Sequence, residues 1–213
     1  MDAMKITMAA AALLAATALA GPALGQAASI GGVNDMGSKG AVNVQDTNIK
    51  PYQAQTNTEG EAEEMRLHGQ CDKAVPILRA FAALEGDRSI ARFNLGMCLF
   101  DLAAKQHDAA QVASMRKEGA GWILQAAAGG SPRAQAEAVV ICLDGIGVAA
   151  DPIEAAKWSI LYRHNGTRLA IGLRDIAPEV SDRLDAALTD STRRQAQARA
   201  DELTQAAQNS SDE

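Results

Sequence analysis

The sequence predicts an all-α chain, a short right-handed α-solenoid of antiparallel helix pairs behind a disordered N-terminal leader. Three observations carry that prediction. From Glu59 onward apolar residues recur at three- and four-residue steps, and no strand alternation appears downstream. Aromatic residues make up only 3% of the chain while alanine is abundant. Alanine is the best helix former and lets neighbouring helices approach closely. Finally, Trp122 and Trp158 lie 36 residues apart in similar settings, "GWILQAAAGG" and "KWSILYRHNG". Each tryptophan is followed by one more helical turn, then a glycine and the next helix. Self-similarity at such a spacing marks a repeat architecture.

The first element is an export signal. Residues 1–25 contain Lys5, an uncharged small-and-apolar run, and "ALG" before Gln26. A basic start, a short apolar core and small residues at the cleavage positions define a secretory signal peptide. The core from Met8 to Ala20 spans 13 residues, against about 20 for a membrane-spanning helix. Cleavage is expected after Gly25, with Ala20 as the alternative, and the mature protein is expected in the periplasm or secreted. Residues 26–58 lack a sustained period and are rich in Gly, Asn, Gln, Thr and Ser, the composition of a disordered leader.

Residues 59–207 form the predicted helical domain, with 208–213 as a disordered tail. "TEGEAEEMRLHG" reads as a short helix closed by Gly69. A helix over 72–85 follows, with Asp72 as N-cap, Pro76 tolerated in the first turn, and Ala74, Ile77, Leu78, Phe81 and Leu84 on one face. After a turn at 85–87, "RSIARFNLGMCLFDLAA" presents Ile90, Phe93, Leu95, Met97 and Leu99 as a mostly buried helix. The stretch "DGIGVAADPIEAAKW" has a mechanical reading. Gly145 and Gly147 supply positive φ as the chain leaves one helix, Val148 tucks back into the seam, and Asp151 caps the returning helix with Pro152 first inside it. "LTDSTRRQAQARADELTQ" reads as a closing helix with the polar outer face that a terminal unit needs.

These residues resemble the Sel-one-like repeat family, a branch of the tetratricopeptide-like α-solenoids. Residues 134–166 carry Gly145, Gly147, Val148, Asp151, Ala155, Trp158 and Gly166 at the family's spacing. Residues 91–130 carry Ala91, Leu95, Gly96, Trp122, Ala126, Ala127 and Gly130, but lack the G-x-G-V element. The first unit is also seven residues longer between its first helix and its tryptophan, which predicts lengthened helices rather than a floppy loop. Both tryptophans are expected to be buried anchors. The resemblance implies a non-enzymatic adaptor or regulator holding a protein or peptide on its concave face, without a cofactor. Two other readings stay open: an envelope enzyme or peptidoglycan- or β-lactam-recognising protein, and a structural homo-oligomer. Relatives linked to β-lactam chemistry carry a cysteine pair in every repeat, and this chain does not.

Reactive chemistry finds little support. "GIG" is followed by Ala150 where a dinucleotide loop needs glycine, and no strand precedes it. His68, His107 and His164 are dispersed, without zinc-type spacing. Cys142 lies in "AVVICL", where an inert buried thiol is the usual outcome, so pairing with His164 as a nucleophile is disfavoured. His164 reads instead as a favourable partner for a helix C-terminus. A net charge of −6 without a basic cluster argues against nucleic acid as partner, and the short apolar core argues against an integral membrane protein. Three cysteines in an exported chain permit one disulfide. Cys71 opens one helix and Cys98 lies on the next, which runs back antiparallel after the turn at 85–87. They are about fifteen and twelve residues from that turn, near the limit for a disulfide. Cys71–Cys98 is the expected pair. Cys98–Cys142 is the alternative, and three reduced core cysteines the remaining one.

Overall fold

A computed structural model of the chain describes residues 50–209, with side chains from 58 onward. The expected signal peptide, most of the leader and the last four residues of the tail lie outside them. Among the described residues the structure is all-helical, with nine helices and no strand. In order they are α1 (Lys50–Leu67), α2 (Cys71–Ala82), α3 (Ser89–Ala103), α4 (Ala109–Ala128), α5 (Pro132–Asp144), α6 (Pro152–Arg163), α7 (Gly166–Ala170), α8 (Pro178–Ala186) and α9 (Asp190–Asn209). From α1 to α6 each helix packs chiefly on its neighbours in sequence, α3 also touches α1 and α5, and α9 docks on α6.

Several expectations shift in detail. The first helix begins at Lys50 rather than Glu59, and α9 continues to Asn209, so both extend into segments expected to be disordered. Pro51 falls in the first turn of α1, where a missing N–H is harmless, and no further proline or glycine interrupts the chain before Gly60. The helix expected over 72–85 starts at Cys71 and stops at Ala82, with Gln70 rather than Asp72 at the cap position and Asp72 in the first turn. Leu84 and Ile90, expected on buried faces, are 44% and 59% exposed. Leu84 has left the shortened helix, and Ile90 is in the first turn of α3, where no element covers it.

The long spacing between Leu95 and Trp122 is filled by lengthened helices, as expected, a 15-residue α3 and a 20-residue α4. These two helices meet at a pair of glycines. A Cβ on Gly96 would stand 2.7 Å from the Gly119 carbonyl oxygen and collide with Ile123. A Cβ on Gly119 would in turn stand 3.0 Å from the Gly96 oxygen. The backbones therefore cross at a separation that only glycine permits.

The loop between α5 and α6 also behaves as its sequence implies. Gly145 ends α5 in the left-handed region at φ 70°, and Gly147 has φ 73°. Gly147 meets a second demand, since a Cβ there would collide with the Arg116 carbonyl and lie 2.8 Å from Lys117 N on α4. Val148 is half-buried against the larger core cluster. The Asp151 carboxylate accepts from Ile153 N at 2.9 Å and Glu154 N at 3.1 Å, with Pro152 opening α6. Ser131 and Pro132 repeat the device at the start of α5, where the Ser131 hydroxyl accepts from Ala134 N at 3.4 Å.

Two apolar clusters form the interior. One gathers Leu78, Leu95, Leu99 and the Cys71–Cys98 pair, and the other Ile123, Val139, Ile141, Trp158 and Leu184. Trp158 is 3% exposed, as expected of an anchor. Trp122 is only half-buried and lies at the edge of the smaller cluster, its indole N–H donating to Glu118 Oε1 at 3.4 Å. It packs against that cluster without being enclosed by it, and so is less buried than expected. Past α6, Tyr162 is fully buried and donates to Arg174 O at 2.6 Å, which pins the segment leading to α8. The closing helix α9 buries Ala196 and Ala200, and Arg199 reaches Asp151 and Glu154 at 3.2 Å each.

Candidate functional site

The most distinctive feature of the surface is a cleft of about 510 Å³ where α1, α3, α5 and α7 come together. Its walls include Glu63 of α1, Ser89, Phe93 and Asn94 of α3, and Arg133 of α5. Asn94 is 1% exposed, and neither its carboxamide nitrogen nor its oxygen has a hydrogen-bond partner. Leaving a buried polar group unsatisfied costs about 1–3 kcal/mol, and both ends of this carboxamide carry that cost. Together they are a buried N–H donor and carbonyl acceptor side by side behind the cleft wall, the complement of a peptide unit or another amide. Ile90 and Ile171, 59% and 55% exposed, line the same cleft and supply apolar surface beside the carboxamide.

Charge around the cleft is mixed. The Arg66 guanidinium stands over the Phe93 ring, 6.0 Å from its centroid. Burial lowers its pKa, Glu63 and Asp101 oppose that, and Arg133 adds to it. At the rim the Asp87 carboxylate accepts from Ser89 N at 3.0 Å, and that bond holds Asp87 below the usual carboxylate range.

A second cleft, about 610 Å³, runs between the α5–α7 region and α9. Gln135, His164, Gln197, Asp201 and Thr204 supply polar groups to its walls. Gly130 and Thr167 line both clefts, so the two share a border. Asn165 braces that border. Its amide nitrogen donates to Gly130 O and to Gln135 Oε1, both at 2.9 Å, while its oxygen accepts from Arg168 N at 3.0 Å. Gly130 itself takes φ 85° just before the Ser131 cap.

The remaining sequence-predicted residues have structural surroundings. Leu95, Ala126, Ala127 and Ala155 are buried in helix–helix seams, and Gly96, Gly145, Gly147 and Asp151 act as described above. Cys71 and Cys98 are joined in a disulfide with Cα atoms 5.0 Å apart, both fully buried. Cys142 is a buried free thiol, and burial, helped by Glu154 and Asp151, pushes its pKa up to about 11. Such a thiol stays protonated at neutral pH and makes a poor nucleophile. His164 follows the last turn of α6, its ring Nδ1 2.9 Å from Ile160 O, as expected of a helix C-terminal partner. Among the described residues no group of three or more His, Cys, Asp or Glu could hold a metal ion, and no helix is long and apolar enough to cross a membrane.

The sequence singled out the loop and the tryptophans but not Asn94. Its only signal was a polar residue inside the apolar run "ARFNLGMCLF". Comparison of the chain with protein-family models, curated proteins and solved structures gives no match.

Proposed function

We propose that this chain is a non-enzymatic, exported adaptor or regulator that holds a protein or peptide on a concave face built from Sel-one-like repeat units. In this reading α3–α4 and α5–α6 are successive units of a right-handed solenoid, α1–α2 leads, and α9 closes the array. The contact of α3 with both α1 and α5 supports it, because first helices of stacked pairs touch one another in such an array. A buried disulfide accords with an oxidising compartment such as the periplasm.

The observation that carries the proposal is the buried, unpartnered Asn94 in the cleft lined by α1, α3, α5 and α7. A fold that needed Asn94 only for packing would hold an apolar side chain there. Asn94→Leu tests this directly. The variant is expected to unfold at higher urea than the wild type while losing affinity for a pool of fluorescein-labelled, ten-residue unstructured peptides, read by anisotropy. A variant less stable than wild type but equally able to bind would overturn the assignment.

A further inference from the structure

Resting on that reading, we propose that the two clefts form one continuous groove that receives an extended polypeptide segment bearing lysine or arginine side chains. The closing helix α9 then reads the far end of that segment rather than only covering the last apolar seam. Continuity follows from Gly130 and Thr167, which belong to the walls of both clefts. Gly130 presents no side chain at the passage, and its carbonyl is already held by Asn165. Neighbouring helices lie about 8–10 Å apart, so crossing from α1 over α3 and α5 to α7 covers roughly 24–30 Å. An extended chain advances about 3.3 Å per residue, which makes that crossing about seven to nine residues long.

The charge of the partner follows from the walls. Glu63 and Asp87 line the first cleft and Asp201 the second, against one guanidinium, Arg133, and the imidazole of His164. None of those three carboxylates is in an ion pair among the described residues. Arg66 sits over the Phe93 ring, and Arg88 has its Nε buried, so neither belongs to the lining of either cleft. The groove lining therefore carries three carboxylates against one guanidinium, with Arg88 and Arg92 also acting on Asp87 and the buried Asn94 carboxamide behind the first cleft. Cationic side chains at the two ends of a bound segment complement that pattern.

The test uses the mature chain, residues 26–213, and three labelled pools of ten-residue peptides that alternate small apolar residues with lysine, glutamine or glutamate. At low ionic strength the lysine pool is expected to bind about tenfold more tightly than the glutamine pool, since an exposed charge pair contributes a few-fold and both ends of the groove contribute. The glutamate pool is expected to bind weakest, and salt should compress the differences. Glu63→Gln and Asp201→Asn should each reduce the lysine preference about threefold, and together remove it, while leaving glutamine-pool affinity within twofold. If Asp201→Asn has no effect, α9 does not read the ligand and continuity is refuted. Equal binding of the lysine and glutamine pools overturns the charge assignment but leaves the peptide-adaptor reading standing. Failure of every pool to bind overturns both.

Discussion

Replacing Gly96 by alanine probes the tightest crossing in the fold. In an exposed helix interior this substitution stabilises by about 1 kcal/mol, because glycine is the costlier residue to order. Gly121, on the next helix, has nothing within 4 Å of the position its Cβ would take. Gly121→Ala should therefore show that gain. At Gly96 the new methyl group would lie 2.7 Å from the Gly119 oxygen and collide with the Ile123 side chain. Ile123 is fully buried, and Gly119 O is backbone. The two helices must then separate by several tenths of an ångström, loosening the seam that links the two apolar clusters. Overpacking costs about 1–3 kcal/mol, and a clash against backbone oxygen belongs to the upper part of that range, about 2–3, so the net loss is about 1–2 kcal/mol after the propensity gain. For a domain of this size that lowers Tm by roughly 2–8 °C. Urea and thermal unfolding of both variants, followed by circular dichroism with the disulfide intact, read the effect. Opposite signs at positions 96 and 121 are expected. A Gly96→Ala variant as stable as Gly121→Ala would refute the close crossing.

Other perturbations have equally definite outcomes. Trp158→Ala should cost about 3–5 kcal/mol as a buried anchor, and half-buried Trp122→Ala clearly less, measured by urea midpoints. Non-reducing peptide mapping should recover Cys71 linked to Cys98, with Cys142 alkylated only after unfolding. The raised Cys142 pKa means the unfolded thiol ionises before the folded one, so stability falls as pH rises from about 9 to about 11. Cys142→Ala should remove that part of the alkaline loss, about 2–3 kcal/mol, in unfolding experiments across that range. Burial pushes the Asp151 carboxyl up, but bonds from Glu154 N, Arg199 and Ile153 N outweigh it and hold the group below its usual range. Its contribution is thus present at neutral pH and lost as pH falls through the folded-state pKa. Asp151→Ala should cost about 1–2 kcal/mol at pH 7 and progressively less towards pH 3, whereas Asp151→Asn, which can still cap, should cost less.

What could be read from the sequence was local in origin. The positive φ of Gly145 and Gly147 and the Asp151 cap depend on residues a few positions apart, so a short stretch contains the whole cause. The Cys71–Cys98 pairing needed only one helical hairpin and a count from its turn. The misplaced features depend on what lies across a seam. Apolar periodicity identified a face on α3 but not whether anything covered its first turn, and Ile90 is exposed there. Trp122 and Trp158 have similar local surroundings, yet only Trp158 sits within the larger cluster. The helix expected after the second tryptophan is only the five-residue α7, and α8 escaped because nine residues are too short to display a period. The Asn94 cleft gathers four helices, and no window of sequence contains it.

The geometry of α3 links these observations. Gly96 faces α4 on one side of the helix, while Cys98 stands one turn beyond Asn94 and ties α3 to the start of α2. Phe93 and Asn94 are left toward the cleft. The two fixings hold α3 against both α4 and α2, with the unsatisfied Asn94 carboxamide buried beside the cleft. A flexible helix could rotate Asn94 into water and relieve its unmet hydrogen bonds, and a helix held at both the crossing and the disulfide cannot. In the proposed adaptor, that rigidity keeps the carboxamide oriented before a ligand arrives and reduces the ordering cost of binding. Buried polar groups without partners conflict with every rule that favours a stable core, and such conflicts concentrate at functional sites. The unpartnered carboxamide, the exposed Ile90 and Ile171, and the carboxylates of Glu63 and Asp87 all border one cleft. Packing alone gives no reason for that coincidence, whereas a ligand-binding groove accounts for all three.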